Sequence, residues 1–171
     1  MNLPVFVSCP SLLTKDQEVI RDRFENLLRS FDLEPVTLGR NHKSISGKAP
    51  LAEIMHLARH CCGGVVLGFA EFKSESTRAV VKSGDPDHTR DMGSLALSSA
   101  WNQLEAGILL GLERPVMVCR EKGVMPSGIL DPQVGDRYVV EFDGASDEID
   151  DSPVLAFRSD VVSVYTGRYP S

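Results

Sequence analysis

Positive charge is in short supply in this chain. Lysine and arginine total 18 against 24 aspartates and glutamates, a formal net charge of -6. Nucleic acid and anionic membrane surfaces both call for concentrated positive charge, so neither is the expected partner. A local basic pocket for a phosphate stays compatible with that balance. No stretch is long and apolar enough to span a bilayer. The opening Met1-Asn2-Leu3-Pro4 lacks the basic-then-apolar pattern of a secretory signal. Cysteine is confined to Cys9, Cys61, Cys62 and Cys119, with no C-x-x-C spacing, which argues against a zinc site. Each cysteine sits in or beside an apolar run and reads as a small reduced core residue, which suits a cytoplasmic chain. Also missing are a G-x-x-x-x-G-K-[ST] loop and a G-x-G-x-x-G after the first strand, so phosphate-loop and Rossmann dinucleotide binding lack support. No G-x-S-x-G elbow backs a hydrolase triad from Ser11, His60 and an aspartate. His56 and His60 stand four apart but lack the H-E-x-x-H glutamate, and read as solvated.

What is present is an ordinary globular mixture. The chain has 171 residues, 42% of them hydrophobic and 25% charged. That length fits one domain spanning residues 1–171, with a core that needs no staples. Short apolar runs alternate with helical patterns. Pro4 to Ser8, Leu33 to Leu38, Val65 to Phe69, Pro115 to Cys119 and Tyr138 to Phe142 read as five strands. Thr14 with Gln17 forms a capping-box pattern ahead of a helix whose apolar positions are Ile20, Phe24, Leu27, Leu28 and Phe31. Pro50 opens a second helix with Leu51, Ile54, Met55 and Ala58 on one face, broken by Gly63-Gly64. A third helix carries Trp101, Leu104, Ile108 and Leu112 on one stripe, and a fourth carries Val154, Phe157, Val161 and Val164. The stretch from Gly39 to Ala49, with Arg40, His42, Lys43 and Lys48, reads as a solvated connection. Residues from Ala70 to Ser94 read as an irregular insertion or a flap. Alternation of this kind predicts βαβ units, a mostly parallel sheet, and ligand binding where loops gather at the strand carboxyl ends.

The informative segment runs from Ser98 to Gly107. Glu105 follows Trp101 by four residues, so both lie on one side of the helix. Ala106 and Gly107 beside it are small and permit close approach. A carboxylate held there, partly desolvated, gains basicity. It can then stabilise a cation, orient a ribose hydroxyl or exchange a proton. Helical spacing alone, however, reads Glu105 as a solvated carboxylate at the stripe's edge. Ser98 or Ser99 caps the helix, whose free N–H groups also suit a phosphate or ribose oxygen. Trp101 reads first as a core anchor and second as a stacking platform. Asn102 is a polar contact or an exposed residue. Ser8 and Pro10 follow the first strand on the ligand side, and Ser8 either binds a ligand or satisfies a turn.

Val5-Phe6-Val7-Ser8 followed by a helix, with the later Ser99-Ala100-Trp101-Asn102-Gln103-Leu104-Glu105, resembles a bacterial TIR or TIR-like domain. Leu104-Glu105-Ala106-Gly107, with Leu110-Gly111-Leu112-Glu113-Arg114-Pro115-Val116, is also similar to nucleoside 2-deoxyribosyltransferases. The resemblance covers roughly residues 4 to 142 in order of elements. Both families share a flavodoxin-like sheet and a glutamate working at an N-glycosidic bond. Departures are the Ser8-Cys9-Pro10 end of the first strand, the length of the 70–94 segment, and the unmatched D-x-G-T of the deoxyribosyltransferases.

The resemblance implies a flavodoxin-like three-layer α/β sandwich around a mostly parallel five-stranded sheet. It implies Glu105 as the catalytic group, with Ser8, Pro10, Phe69, Ser99, Trp101 and Asn102 binding substrate and no metal. NAD enters as a substrate, not a cofactor, cleaved or cyclised as an NAD(+) nucleosidase would, in antiphage signalling. It also implies a homo-oligomer or an effector partner. The alternatives are a non-catalytic nucleotide-binding or protein-interaction module and a deoxyribosyltransferase-like enzyme.

Overall fold

The computed structural model describes residues 2–38, 50–80, 89–134, 139–143 and 150–168. Five strands form one sheet: β1 (Leu3–Ser8), β2 (Leu33–Val36), β3 (Gly63–Gly68), β6 (Val116–Glu121) and β7 (Val139–Phe142). Two more, β4 (Phe72–Val80) and β5 (Thr89–Leu97), pair with each other, and Ala96 of β5 also bridges to Val124. The sheet order is β2-β1-β3-β6-β7, and all four pairings are parallel. Counting only sheet strands, that order is 2-1-3-4-5, the flavodoxin-like winding, which changes direction between β1 and β3.

Helices cover both faces because every central strand is apolar on both sides. β3 is buried along its whole length. One face packs against α1 (Lys15–Ser30) and α4 (Ser152–Arg168) through Ile20, Phe24, Leu28, Val154, Phe157 and Val161. The other packs against α2 (Pro50–His60) and α3 (Ala100–Gly111) through Ile54, Leu57, Ala58, Ala106 and Leu109. The Thr14–Gln17 capping box forms as its sequence predicts, with both reciprocal bonds in place. Cys61, Cys62 and Cys119 are buried thiols, and Cys9 is a half-buried one.

Gly63 and Gly64 do more than end a helix. They open β3, pointing to opposite faces. A Cβ on Gly63 would lie 2.7 Å from Val161 Cγ2, and one on Gly64 would run into Leu109 Cδ1. Their missing side chains let α4 and α3 settle directly on the middle of the sheet.

Three expectations need correction. The 70–94 segment is no irregular flap: most of it lies in the antiparallel β4–β5 hairpin, in register from Phe72↔Leu97 to Val80↔Thr89 with shifts near Thr77. On α2, Leu51 and Met55 are exposed, and the buried set is Glu53, Ile54, Leu57 and Ala58. On α3, the stripe of Trp101 and Leu104 faces outward, while Asn102, Glu105, Ala106 and Leu109 face the sheet. The basic stretch with Arg40, His42, Lys43 and Lys48 lies outside the described residues, as do His88 and Tyr138. Among the described residues, no helix is long and apolar enough to cross a membrane.

Candidate active site

The end of β1 and the first two turns of α3 meet at the carboxyl edge of the sheet. Ser99 caps α3, its hydroxyl accepting from the Trp101 N–H at 3.2 Å. That cap starts the helix, and packing on the sheet turns Asn102 and Glu105 inward. Asn102 is 1% exposed, and its Nδ2 donates to Ser8 Oγ at 2.8 Å. The Ser8 hydroxyl in turn hydrogen-bonds the Glu105 side chain. One buried hydroxyl therefore accepts from an amide and donates to a carboxylate, which sets its rotor.

Glu105 is 9% exposed. Burial pushes its carboxyl from 4.5 up to about 7, and the Ser8 bond pulls part of the way back. A group poised there changes charge in the neutral range, where acid–base and electrostatic chemistry at ordinary pH are both open to it.

The carboxyl borders a cleft of about 470 Å³. Pro10, Ser99 and Trp101 line it with Glu105. Trp101 is 49% exposed, so the core-anchor reading fails: the ring has one side toward the cleft and much of its area open. Ser8 and Asn102 stand behind Glu105 rather than on the cleft wall. Phe69 does not belong to the site. It is wholly buried in the opposite core, stacked edge-on against Phe142 with ring centroids 5.5 Å apart.

Sequence reasoning missed Arg21, Thr37 and Glu71, which also line the cleft. Arg21 is buried on α1, its guanidinium 2.7 Å from Asp22 and 3.9 Å from Glu18. Its signal was available in the spacing: Gln17, Arg21 and Glu25 recur every fourth residue and are all buried. Gln17 reaches further, its Nε2 donating to Ala70 O at 3.2 Å and Glu121 Oε2 at 3.1 Å. Glu121 also accepts from the Ala70 N–H at 2.7 Å. These bonds hold the chain leaving β3 and so place Glu71. Thr37 Oγ1 and Asn102 Oδ1 are buried without a hydrogen-bond partner among the described residues.

His56 and His60 are exposed on α2, with His60 Nδ1 2.7 Å from the His56 carbonyl. Among the described residues, no three histidine, cysteine, aspartate or glutamate side chains gather to hold a metal ion.

No family model and no curated protein matches the chain. Among solved structures it is similar to a CMP N-glycosidase of Clostridium botulinum, BcmB, at 11% identity over 90% of this chain and 95% of that one, with a TM-score of 0.47. It is also similar to a diflavin flavoprotein A3 from Nostoc sp., at 12% identity over 98% and 97%, with a TM-score of 0.46.

Proposed function

We propose that this chain is a nucleotide N-glycosidase, breaking the bond between a ribose C1′ and its base nitrogen, with Glu105 as the catalytic group. One observation carries the proposal: the Glu105 carboxyl, desolvated and raised to about 7, borders a cleft at the strand carboxyl ends.

Rupture of the C1′–N bond sends the electron pair to the base and leaves oxocarbenium character on the sugar. Ionised Glu105 stabilises that cation, holds a ribose hydroxyl or attacks C1′ directly. Water then forms the new C1′–O bond and gives up a proton, which the carboxylate is basic enough to accept. Ser8 keeps the carboxylate oriented, and Asn102 keeps Ser8 oriented. The open face of Trp101 offers a stacking surface for a base. The TIR-like sequence resemblance supplies NAD as the substrate within this class. Nicotinamide leaves neutral, so little acid assistance is required. That resemblance also supplies the signalling role of the product.

The test is direct. Concentrated protein is incubated with NAD, ribonucleoside monophosphates, or deoxynucleosides plus a free base, and base release or exchange is followed by chromatography. Release from at least one nucleotide is expected, with Glu105→Gln slower by about 10²–10⁴-fold. Exchange between deoxynucleosides alone marks a deoxyribosyltransferase. No turnover of any of them at any protein concentration marks a non-catalytic module.

A further inference from the structure

We infer that Arg21 and Thr37 form a subsite for the 5′-phosphate of the nucleotide, on the opposite face of the sheet from Glu105. The inference deepens the N-glycosidase reading and rests on it for the ribose that carries the phosphate.

Strand pairing and alternation place the two residues on one face. Phe6 pairs with Val36, and both belong to the core under α2 and α3. Leu38 packs against that same core. Thr37, between Val36 and Leu38, therefore turns to the other face. α1 packs on β2 and covers that face through Ile20, Phe24 and Leu28. Arg21 follows Ile20 on α1, is 5% exposed and borders the same cleft as Thr37. Glu105 and Trp101 reach the cleft from α3, which rests on the α2 side of the sheet. The cleft thus wraps the carboxyl end of β1, with the carboxyl on one face and a polar pair on the other.

Chemistry selects the ligand. Arg21 is the one cation among the described residues of the cleft wall. A buried guanidinium costs free energy unless it is well paired. Its protein partners hold it loosely: the Asp22 and Glu18 side chains are 61% and 53% exposed, so water screens both. Asp22 takes Nε and Nη2, and Nη1 has only Glu18 at 3.9 Å. Thr37 adds a buried hydroxyl with no hydrogen-bond partner among the described residues, a cost that a ligand relieves. One χ1 step exchanges that hydroxyl with the methyl group and turns it to the cleft. A guanidinium donates only, and a threonine hydroxyl donates readily. Donors gathered without an acceptor fit an oxyanion, and a guanidinium edge fits phosphate. The carboxylates of the wall, Glu71 and Glu105, stand after β3 and on α3, across β1 from Thr37. A nucleotide with its base toward Trp101 and C1′ at Glu105 therefore directs its 5′ end over β1 to Arg21 and Thr37.

Calorimetry with ribose 5-phosphate and ribose reads the subsite without any bond being broken. The native chain is expected to bind the phosphorylated sugar at least about 100-fold more tightly. Thr37→Val is expected to remove about 10-fold of that preference and Arg21→Gln nearly all of it, with ribose affinity unchanged. Thr37→Val is also expected to keep or raise the thermal midpoint, because it deletes an unpaired hydroxyl, and so it carries the test if Arg21→Gln does not fold. Inorganic phosphate is expected to compete, but less tightly than the sugar phosphate. A native chain without preference for ribose 5-phosphate overturns the inference, as does a preference that survives Thr37→Val in full. Turnover of nucleosides and nucleotides at equal KM overturns the subsite and spares the N-glycosidase reading. A phosphate preference lost in Thr37→Val, with no base released from any nucleotide, does the reverse.

Discussion

Burying a carboxyl and leaving it half-ionised costs stability, and at Glu105 the sign of that cost is fixed. The folded chain holds its proton up to about pH 7, whereas the unfolded chain releases it near 4.5. The native state therefore binds the extra proton across that window, and stability falls as pH rises through it. Glu105→Gln removes the titration. Its unfolding free energy relative to the native protein is expected to rise by about 1–3 kcal/mol between pH 4 and pH 8, read by chemical denaturation at each pH. Ser8 works in the opposite sense, since its bond favours the anion. Ser8→Ala is expected to move the rising limb of the pH–rate profile to higher pH, beyond any fall in maximal rate. A profile that only scales down would make Ser8 a packing residue.

At the scale of elements, α3 explains both what the sequence disclosed and what it hid. Ser99 as cap and Glu105 near the apolar stripe are readable from spacing. The helix phase is not, because α3 is apolar on two sides and either stripe satisfies helical periodicity. Burial went to the side where Asn102 and Glu105 find Ser8, a partner 94 residues from Asn102 that no local pattern announces. The hairpin was hidden for a different reason. β4 and β5 are largely solvent-facing, so they carry no alternation of apolar and polar residues to mark them as strands. The arm's ends are already joined, with the Glu71 N–H 2.8 Å from Leu97 O. It meets the body at Ala96, which accepts from the Met125 N–H, bridges to Val124 and packs against the core, and which the replacement below keeps. Replacing residues 73–95 with a short glycine-rich turn is therefore expected to change unfolding free energy by less than about 1 kcal/mol. A larger loss in denaturant titration would mean that the arm belongs to the core's cooperative unit.

The whole molecule was the most legible scale. Five apolar runs between amphipathic helices dictate parallel crossovers, and the observed 2-1-3-4-5 winding places the loops after β1 and β3 side by side. What composition could not reveal is how closely the layers approach. Gly64 settles that, since any side chain there meets Leu109 of α3. Gly64→Val is expected to cost about 1–3 kcal/mol through overpacking and to push α3, with Glu105, away from Ser8. Its thermal midpoint and its rate should fall together. The account as a whole stands on the state of one carboxyl, and a ¹³C-detected titration of the Glu105 side-chain carbon in the folded protein measures it directly. The midpoint is expected at about 7 in the native chain and higher in Ser8→Ala. A midpoint at the ordinary 4.5, unmoved by the Ser8 substitution, would contradict it.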